Sequence, residues 1–495
     1  MSPEQGPSTR ARGGASRHHR VTRLGRLASL AAAALLVGCS TLSPDAGFGA
    51  VAQLAEPHLR QPLLWPRSEA ERQQAADQVA TWLQQPLTMD SAVRVALLNN
   101  PGLQAAYQQL RIAQADWVQA GRLPNPGFSL GRVRQGDERE TDLGLHLSLS
   151  AWLALPLRQA VAERRMAQSQ ADAAHTVLQL AADVQKAWVM AVAAEEGLRY
   201  ARQVLQAAEA GAELARRMQS VGNFNALQRA REQAFYADAA LALARAEHQR
   251  LATRERLTRL LGLWGAQTAF TLPDRLPDLP AQPREQPDIE QLALAQRLDI
   301  QAARLMLDES ARQQGLTQRQ RWTTGWDIGV TRSTGHDAPP ARGWELGLEI
   351  PLFDNGAARA ARADAVHAQA LHRAAQTAID ARSQVREAYG AYRSAWDIAR
   401  HQRDEVVPLQ RRISDENLLR YNGMLIGVFE LLADARAQIR AVQGAIDALR
   451  DFWLAQAELE MALVGRPGPG LSALSVPASG GTPPAAGAAA GEPPH

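Results

Sequence analysis

The side chains in this chain that could do acid–base or nucleophilic chemistry stand in no familiar catalytic spacing. The 495 residues contain no H-E-x-x-H pair for zinc, no G-x-S-x-G nucleophile turn, no phosphate-binding Walker loop and no dinucleotide fingerprint. His18 and His19 fall in an arginine-bearing N-terminal stretch, and His248 sits on an apolar helical stripe where packing accounts for it better than ligation. Met218 and Met424 lie beside two breaks in long helical patterns and would suit a soft metal ion. Neither has a Met, Cys or His close by in the chain to complete a site, so no metal, cofactor or catalytic residue is expected.

The remaining reactive group is Cys39, the only cysteine, which excludes an intrachain disulfide and a Cys-based zinc site. It follows six arginines and an apolar run from Leu27 to Val37 that is too short to span a membrane as a helix. That pattern reads as a secretory signal over residues 1–38. Leu36-Val37-Gly38-Cys39 has the form of a bacterial lipobox, in which the thiol is lipidated after cleavage, and Ser40 in place of aspartate points to the outer membrane. Each buried acyl CH₂ would add about 0.8 kcal/mol of anchoring. Without the signal the chain holds 48 basic and 50 acidic residues, a net charge of −2, so nothing in its charge argues for nucleic acid. Lys186 is the only lysine.

The framework is helical. Residues 157–272 lack proline, and Val177, Leu180, Val184, Ala187, Ala191, Ala194, Leu198, Ala201, Leu205 and Ala208 keep the alternating three-four spacing of a coiled-coil seam. Ser220-Val221-Gly222-Asn223 breaks the pattern, which resumes at Leu227, Ala230, Ala234, Ala237, Leu241 and Ala244, predicting an antiparallel helical hairpin. Residues 357–463 repeat the plan around Tyr421-Asn422-Gly423, and Gly222 and Gly423 lie 201 residues apart, as do Val184 and Val385. The expected fold is mainly α with a small β part, in two tandem repeats.

Between the helices the period changes to two. Leu143, Leu145, Leu147 and Leu149 alternate with Gly144, His146, Ser148 and Ser150, which predicts a strand at 142–152 paired with one at 126–134. The second half predicts strands at 324–332 and 342–352. Each has about the 9–11 residues of a tilted membrane strand. Four strands cannot close a membrane barrel, so oligomerisation is expected. The boundaries follow: lipid anchor and extended segment 39–88, first repeat 89–272, proline-rich linker 273–287, second repeat 288–465 and a disordered tail 466–495.

This arrangement resembles the TolC family of outer-membrane efflux factors over roughly residues 89–465. The resemblance is carried by Ala96-Leu97-Leu98-Asn99-Asn100-Pro101 with Leu103, by Leu155-Pro156-Leu157 and Ile350-Pro351-Leu352 as strand-to-helix junctions, by Gly222–Gln233 and by Arg420-Tyr421-Asn422-Gly423. It implies a homotrimer in the outer membrane, with twelve strands forming one β-barrel and the coiled-coil hairpins forming an α-barrel tunnel in the periplasm. Such a channel passes small molecules or metal ions outward, without bond chemistry, from an inner-membrane efflux pump and a periplasmic adaptor (membrane fusion protein). The resemblance makes Val221, Gly222, Asn223, Tyr421, Asn422 and Gly423 the adaptor-facing periplasmic tip, and offers Asp415, Glu416, Arg420, Glu430 and Asp434 as gate charges. The competing reading is a structural or adaptor lipoprotein of the periplasm, coiled-coil and without a pore. An adaptor would need a lipoyl-like β domain between its helical arms, and a purely structural rod leaves the amphipathic strands unexplained.

Overall fold

The computed structural model describes residues 42–59, 61–135, 137–335 and 339–468; the signal segment, Cys39 and the end of the tail lie outside the described residues. Segment 39–88, expected to be extended, instead carries helices α1 (Phe48–Leu59) and α2 (Glu69–Leu83). The start of α2 is fixed by a reciprocal cap. Glu71 N–H donates to Ser68 Oγ at 3.2 Å, and Ser68 N–H donates to Glu71 Oε2 at 3.1 Å. Pro57 is tolerated in the last turn of α1.

Helices α3 (Met89–Asn99) and α4 (Pro101–Ala120) are separated by Asn100, where Pro101 restarts the helix. Strands β1 (Gly127–Gln135) and β2 (Glu138–Ser148) follow, then α5 (Leu149–Ser220) and α6 (Ala226–Leu261). After a proline-rich stretch the same order recurs: α7 (Ile289–Gln296), α8 (Leu298–Thr323), β3 (Trp326–Gly335), β4 (Ala341–Leu348), α9 (Ala357–His401), α10 (Val407–Asn422) and α11 (Val428–Val464). Helices α7 and α8 are separated at Arg297, whose backbone is extended. The second strand of each pair is shorter at its far end than its alternation suggested. Leu149 already begins α5 with Pro156 inside it, so Leu155-Pro156-Leu157 is helical, whereas Ile350-Pro351-Leu352 is a true junction.

Between α9 and α10 one turn, Gln402–Val406, is a π-helix in which Val407 N–H donates to Gln402 O, five residues back. Pro408 explains its position. A proline lacks the donor and its ring crowds the carbonyl four residues before it, and the wider turn relieves both conflicts.

The described residues group into two compact units. The first holds residues 42–49, 108–170 and 305–372, including the sheet; the second holds 50–107, 171–304 and 373–468. The sheet is antiparallel in the order β1-β2-β3-β4, leaving β1 and β4 as edges. In the second unit α5 contributes Val177, Val184, Ala187, Trp188, Val192 and Leu198 to the core. The indole N–H of Trp188 donates to Leu87 O at 2.6 Å. α9 and α11 meet around Val385, Tyr392, Trp396 and Phe452. Burial of such side chains contributes about 1.5–3 kcal/mol each.

The helix breaks are held by side chains. Asn100 Nδ2 donates to Leu260 O at 2.8 Å, and Arg297 Nη1 donates to Ala462 O at 3.0 Å while the same guanidinium grips both Asp299 oxygens. Arg297 is 1% exposed, and a buried guanidinium is tolerable here because Asp299, Ala462 and Gln384 accept from it.

Candidate functional site

The sheet has two faces of opposite character, because residues opposite one another in register point the same way. Phe128 pairs with Leu145, Leu145 with Val330 and Val330 with Trp344, giving an apolar row across all four strands. Leu147, Ile328 and Leu346 form the next row, and Trp326 with Leu348 the one after. Phe128, Leu145, Leu147, Ile328, Val330, Trp344, Leu346 and Leu348 are all exposed. The opposite face carries Glu140, Asp142, Asp327 and Glu345 among small and hydroxylic residues. There His146 shares a hydrogen bond with Ser129 at 3.1 Å, and Ser333 donates to Glu140. No arginine or lysine lies on this face among the described strand residues.

At the first break α5 closes with both hydrogen bonds of a Schellman cap. Asn223 N–H donates to Met218 O at 2.8 Å and Gly222 N–H to Gln219 O at 3.0 Å, with Gly222 at φ +81°. An added Cβ at Gly222 would meet nothing within 4 Å, so backbone conformation rather than space requires glycine there. Val221, Gly222 and Asn223 are exposed, and Asn225 caps α6 reciprocally with Gln228.

The second break uses the same hydrogen bonds one residue later than expected. Leu425 N–H donates to Arg420 O at 2.8 Å and Met424 N–H to Tyr421 O at 2.9 Å. The left-handed residue is Met424, at φ +58°, whereas Gly423 has φ −81° and needs no special freedom. Tyr421 is half-buried, while Asn422, Gly423 and Met424 are exposed. Met424 lies 202 residues after Gly222 and holds the same left-handed position in its turn.

Of the proposed gate charges the structure pairs Glu416 with Arg420, at 3.5 Å on an exposed helix face. Asp415 and Glu430 are exposed, and Asp434 is half-buried with Oδ2 unpartnered among the described residues. The charges the sequence reading passed over are Glu232 on α6 and Arg436 on α11. Glu232 is 2% exposed and its Oε1 stands 2.5 Å from Arg436 Nη2. The contact is an ion pair without hydrogen-bond alignment, and Arg436 also lies 4.7 Å from the Phe235 ring centre. The helical period carried the signal, since Glu232, Phe235 and Ala239 share one face. That face is buried or half-buried, while the predicted seam of Leu227, Ala230, Ala234, Ala237, Leu241 and Ala244 is exposed in the single chain, as is His248. No group of three or more His, Cys, Asp or Glu able to hold a metal occurs among the described residues.

Among the described residues the chain is mostly helical, with one four-stranded sheet that is apolar on one side and acidic on the other. The family of outer membrane efflux proteins matches residues 92–263. The cobalt-zinc-cadmium resistance protein CzcC of Cupriavidus metallidurans is 27% identical over 275 residues, 54% of this chain, and the match spans 64% of that protein's length. The CmeC outer membrane channel of Campylobacter jejuni superposes with a TM-score of 0.64 at 15% identity, over 76% of this chain and 85% of that one. The open-state MtrE outer membrane channel of Neisseria gonorrhoeae gives 0.61 at 21% identity, over 76% and 89%. Residues 92–263 thus match the outer membrane efflux protein family, and the chain shares the fold of these outer membrane channels.

Proposed function

We propose that the chain is one protomer of a homotrimeric outer-membrane channel that conducts cations, divalent metal ions foremost, from an inner-membrane pump and a periplasmic adaptor to the exterior. The observation that carries this reading is the sheet. Its apolar face suits lipid, its acidic face suits a water-filled lumen, and its two edge strands need partners because open edges are not tolerated in lipid. Three copies would supply twelve strands. The exposed seam on α6 supports the same assembly, since Leu227 and Leu241 would each contribute about 1.5–3 kcal/mol when a neighbour covers them. The choice of cation rests on Glu140, Asp142, Asp327 and Glu345 and on the metal-resistance name of the relative.

A tandem duplication is supported by the recurring element order and by the two helix breaks. Asn100 and Arg297 reach carbonyls, Leu260 O and Ala462 O, that are 202 residues apart, the same offset as Gly222 and Met424. In this reading the domains keep the boundaries expected from the sequence, the turns at 221–223 and 421–424 form the periplasmic tip that meets the adaptor, and Cys39 bears the lipid.

Planar-bilayer recording of the full-length protein tests the reading. Trimers should insert and conduct, and D142N/D327N/E345Q should lower the cation-to-anion permeability ratio several-fold, roughly as the loss of focused charge dictates. A protein that forms no pore would refute the channel, and an unchanged ratio would refute the role of the acidic face.

A further inference from the structure

The sheet sorts its charges by face, and the channel reading uses only the acidic half. Parity in the strand registers places Arg132, Arg139, Arg332 and Arg342 on the apolar face, together with Arg134, which stands opposite Arg139 and already makes a contact of its own. Leu130 stands opposite Leu143, Leu143 opposite Arg332, and Arg332 opposite Arg342, so a single row passes from two leucines into two guanidinium groups. That row is two residues, about 7 Å, beyond the row containing Val330 and Trp344. Arg132, opposite Thr141, follows one row further on, and Arg139 lies next to the hairpin turn. The other four arginines are exposed, and none of them has a side-chain partner among the described residues. Glu140, Asp142, Asp327 and Glu345 all stand on the other face and cannot reach round the sheet to neutralise them.

An arginine beside an apolar band can lay its methylenes along that band and hold its charged head at the polar boundary. These heads, in three successive rows spanning about 14 Å toward the hairpin turns, form a positive band that no carboxylate on the same face offsets among the described strand residues, so its counter-charge is sought outside the chain. The band lies at the hairpin-turn end of the sheet, away from Leu149, where β2 passes into α5. In the orientation proposed above this is the exterior end, and the inference rests on that reading. A guanidinium fork matches a phosphate group with two parallel charge-assisted hydrogen bonds. We infer that Arg132, Arg139, Arg332 and Arg342 bind the phosphate groups of lipid headgroups in the outer leaflet, so that the channel carries a ring of bound phospholipid or phosphoglycolipid at its outer rim.

The test is a binding titration of the full-length protein in neutral detergent micelles, using bisphosphorylated lipid A and its dephosphorylated form as probes. The native protein should prefer the phosphorylated lipid by about tenfold or more, since several charge-assisted contacts are involved, and the preference should shrink as salt rises. R132Q/R332Q/R342Q should abolish it, and D327N/E345Q, on the opposite face, should leave it intact. Equal binding of the two lipids by the native protein, or a preference that survives the triple substitution, overturns the inference. Full displacement of the lipid by millimolar inorganic phosphate also overturns it, because the site would then bind free anion. Should the triple variant fail to assemble, R332Q and R342Q decide singly. Each should reduce the preference about threefold, and no reduction in either is a refutation. Bilayer conductance of the same preparations separates the two readings: pores without a phosphate preference overturn this inference alone, and the absence of pores overturns the channel with it.

Discussion

The buried pair of Glu232 and Arg436 joins α6 to α11, which belong to different helical hairpins, a few turns from the helix breaks proposed as the periplasmic tip. We predict that it holds the closed form of the tip. Removing one partner of a fully buried ion pair costs about 3–5 kcal/mol, because the other is left charged and unpaired. Two features lower that figure for Glu232→Ala. Arg436 is 21% exposed, and the Phe235 ring continues to face its guanidinium. A loss of about 2–3 kcal/mol is therefore expected, and at 1.4 kcal/mol per tenfold it shifts a closed-to-open equilibrium by about 30- to 150-fold. Single-channel recording should show a large rise in open probability that persists at high salt, since a pair this buried is little screened. Replacing both partners with apolar residues, as in Glu232→Leu with Arg436→Met, should recover most of the closed state. The reasoning fails if Glu232→Ala leaves open probability unchanged, or if the two single effects simply add in the double variant.

Three further outcomes are expected. Met424→Gly should stabilise the protein by about 1 kcal/mol and Gly222→Ala destabilise it by a similar amount, because both sites are left-handed; chemical unfolding of the two variants should move in opposite directions. Gly222→Trp should impair export from cells while trimers still assemble, and undiminished export would remove the tip from the adaptor interface. Burial pushes the His175 imidazole below its ordinary value near 6.5, against the pull of the Asp299 carboxylate and with further lowering from Arg297 and Arg466. Its folded-state value is thus the lower one, so the unfolded chain takes up the proton first. Its stabilising contribution is whole above about pH 6.5 and declines as pH falls below that. His175→Gln should flatten this acid loss in a melting series, and an unchanged slope would assign the loss to other groups.

Much of the fold was legible because its signals are long. The seam from Val177 to Leu198 reports core burial directly, and the alternation of Leu143, Leu145 and Leu147 reports one face of a sheet. Short signals were harder to read. Ser68-Glu69-Ala70-Glu71 is a capping box that starts α2, but the prolines around it suggested an extended segment. On α6 the apolar seam read as the packing face is exposed, and the face through Glu232 and Ala239 is buried instead, because periodicity identifies a face without saying what covers it. Glu232 was passed over for the same reason, being a charge on the face that this chain itself buries. At the second tip, Gly423 drew attention by residue type, yet the left-handed position belongs to Met424, and only backbone geometry could reveal that exchange.

The π-turn at Gln402–Val406 bears on how the two halves have aged. Val184 and Val385, upstream of it, are 201 residues apart, whereas the turn residues Gly222 and Met424, downstream, are 202 apart. Under the duplication proposed above, one extra residue within this helix would account for the difference. In a regular helix that extra residue would have swung every later side chain about 100° around the axis. By widening one turn, the chain confined the insertion to a few residues and kept the downstream faces of α10 pointing where they had pointed before. Under that proposal, helix register more than residue identity is what the two halves would share, and a gap-free alignment of one half on the other, started from Val184 and Val385, misplaces every residue of the second turn by one.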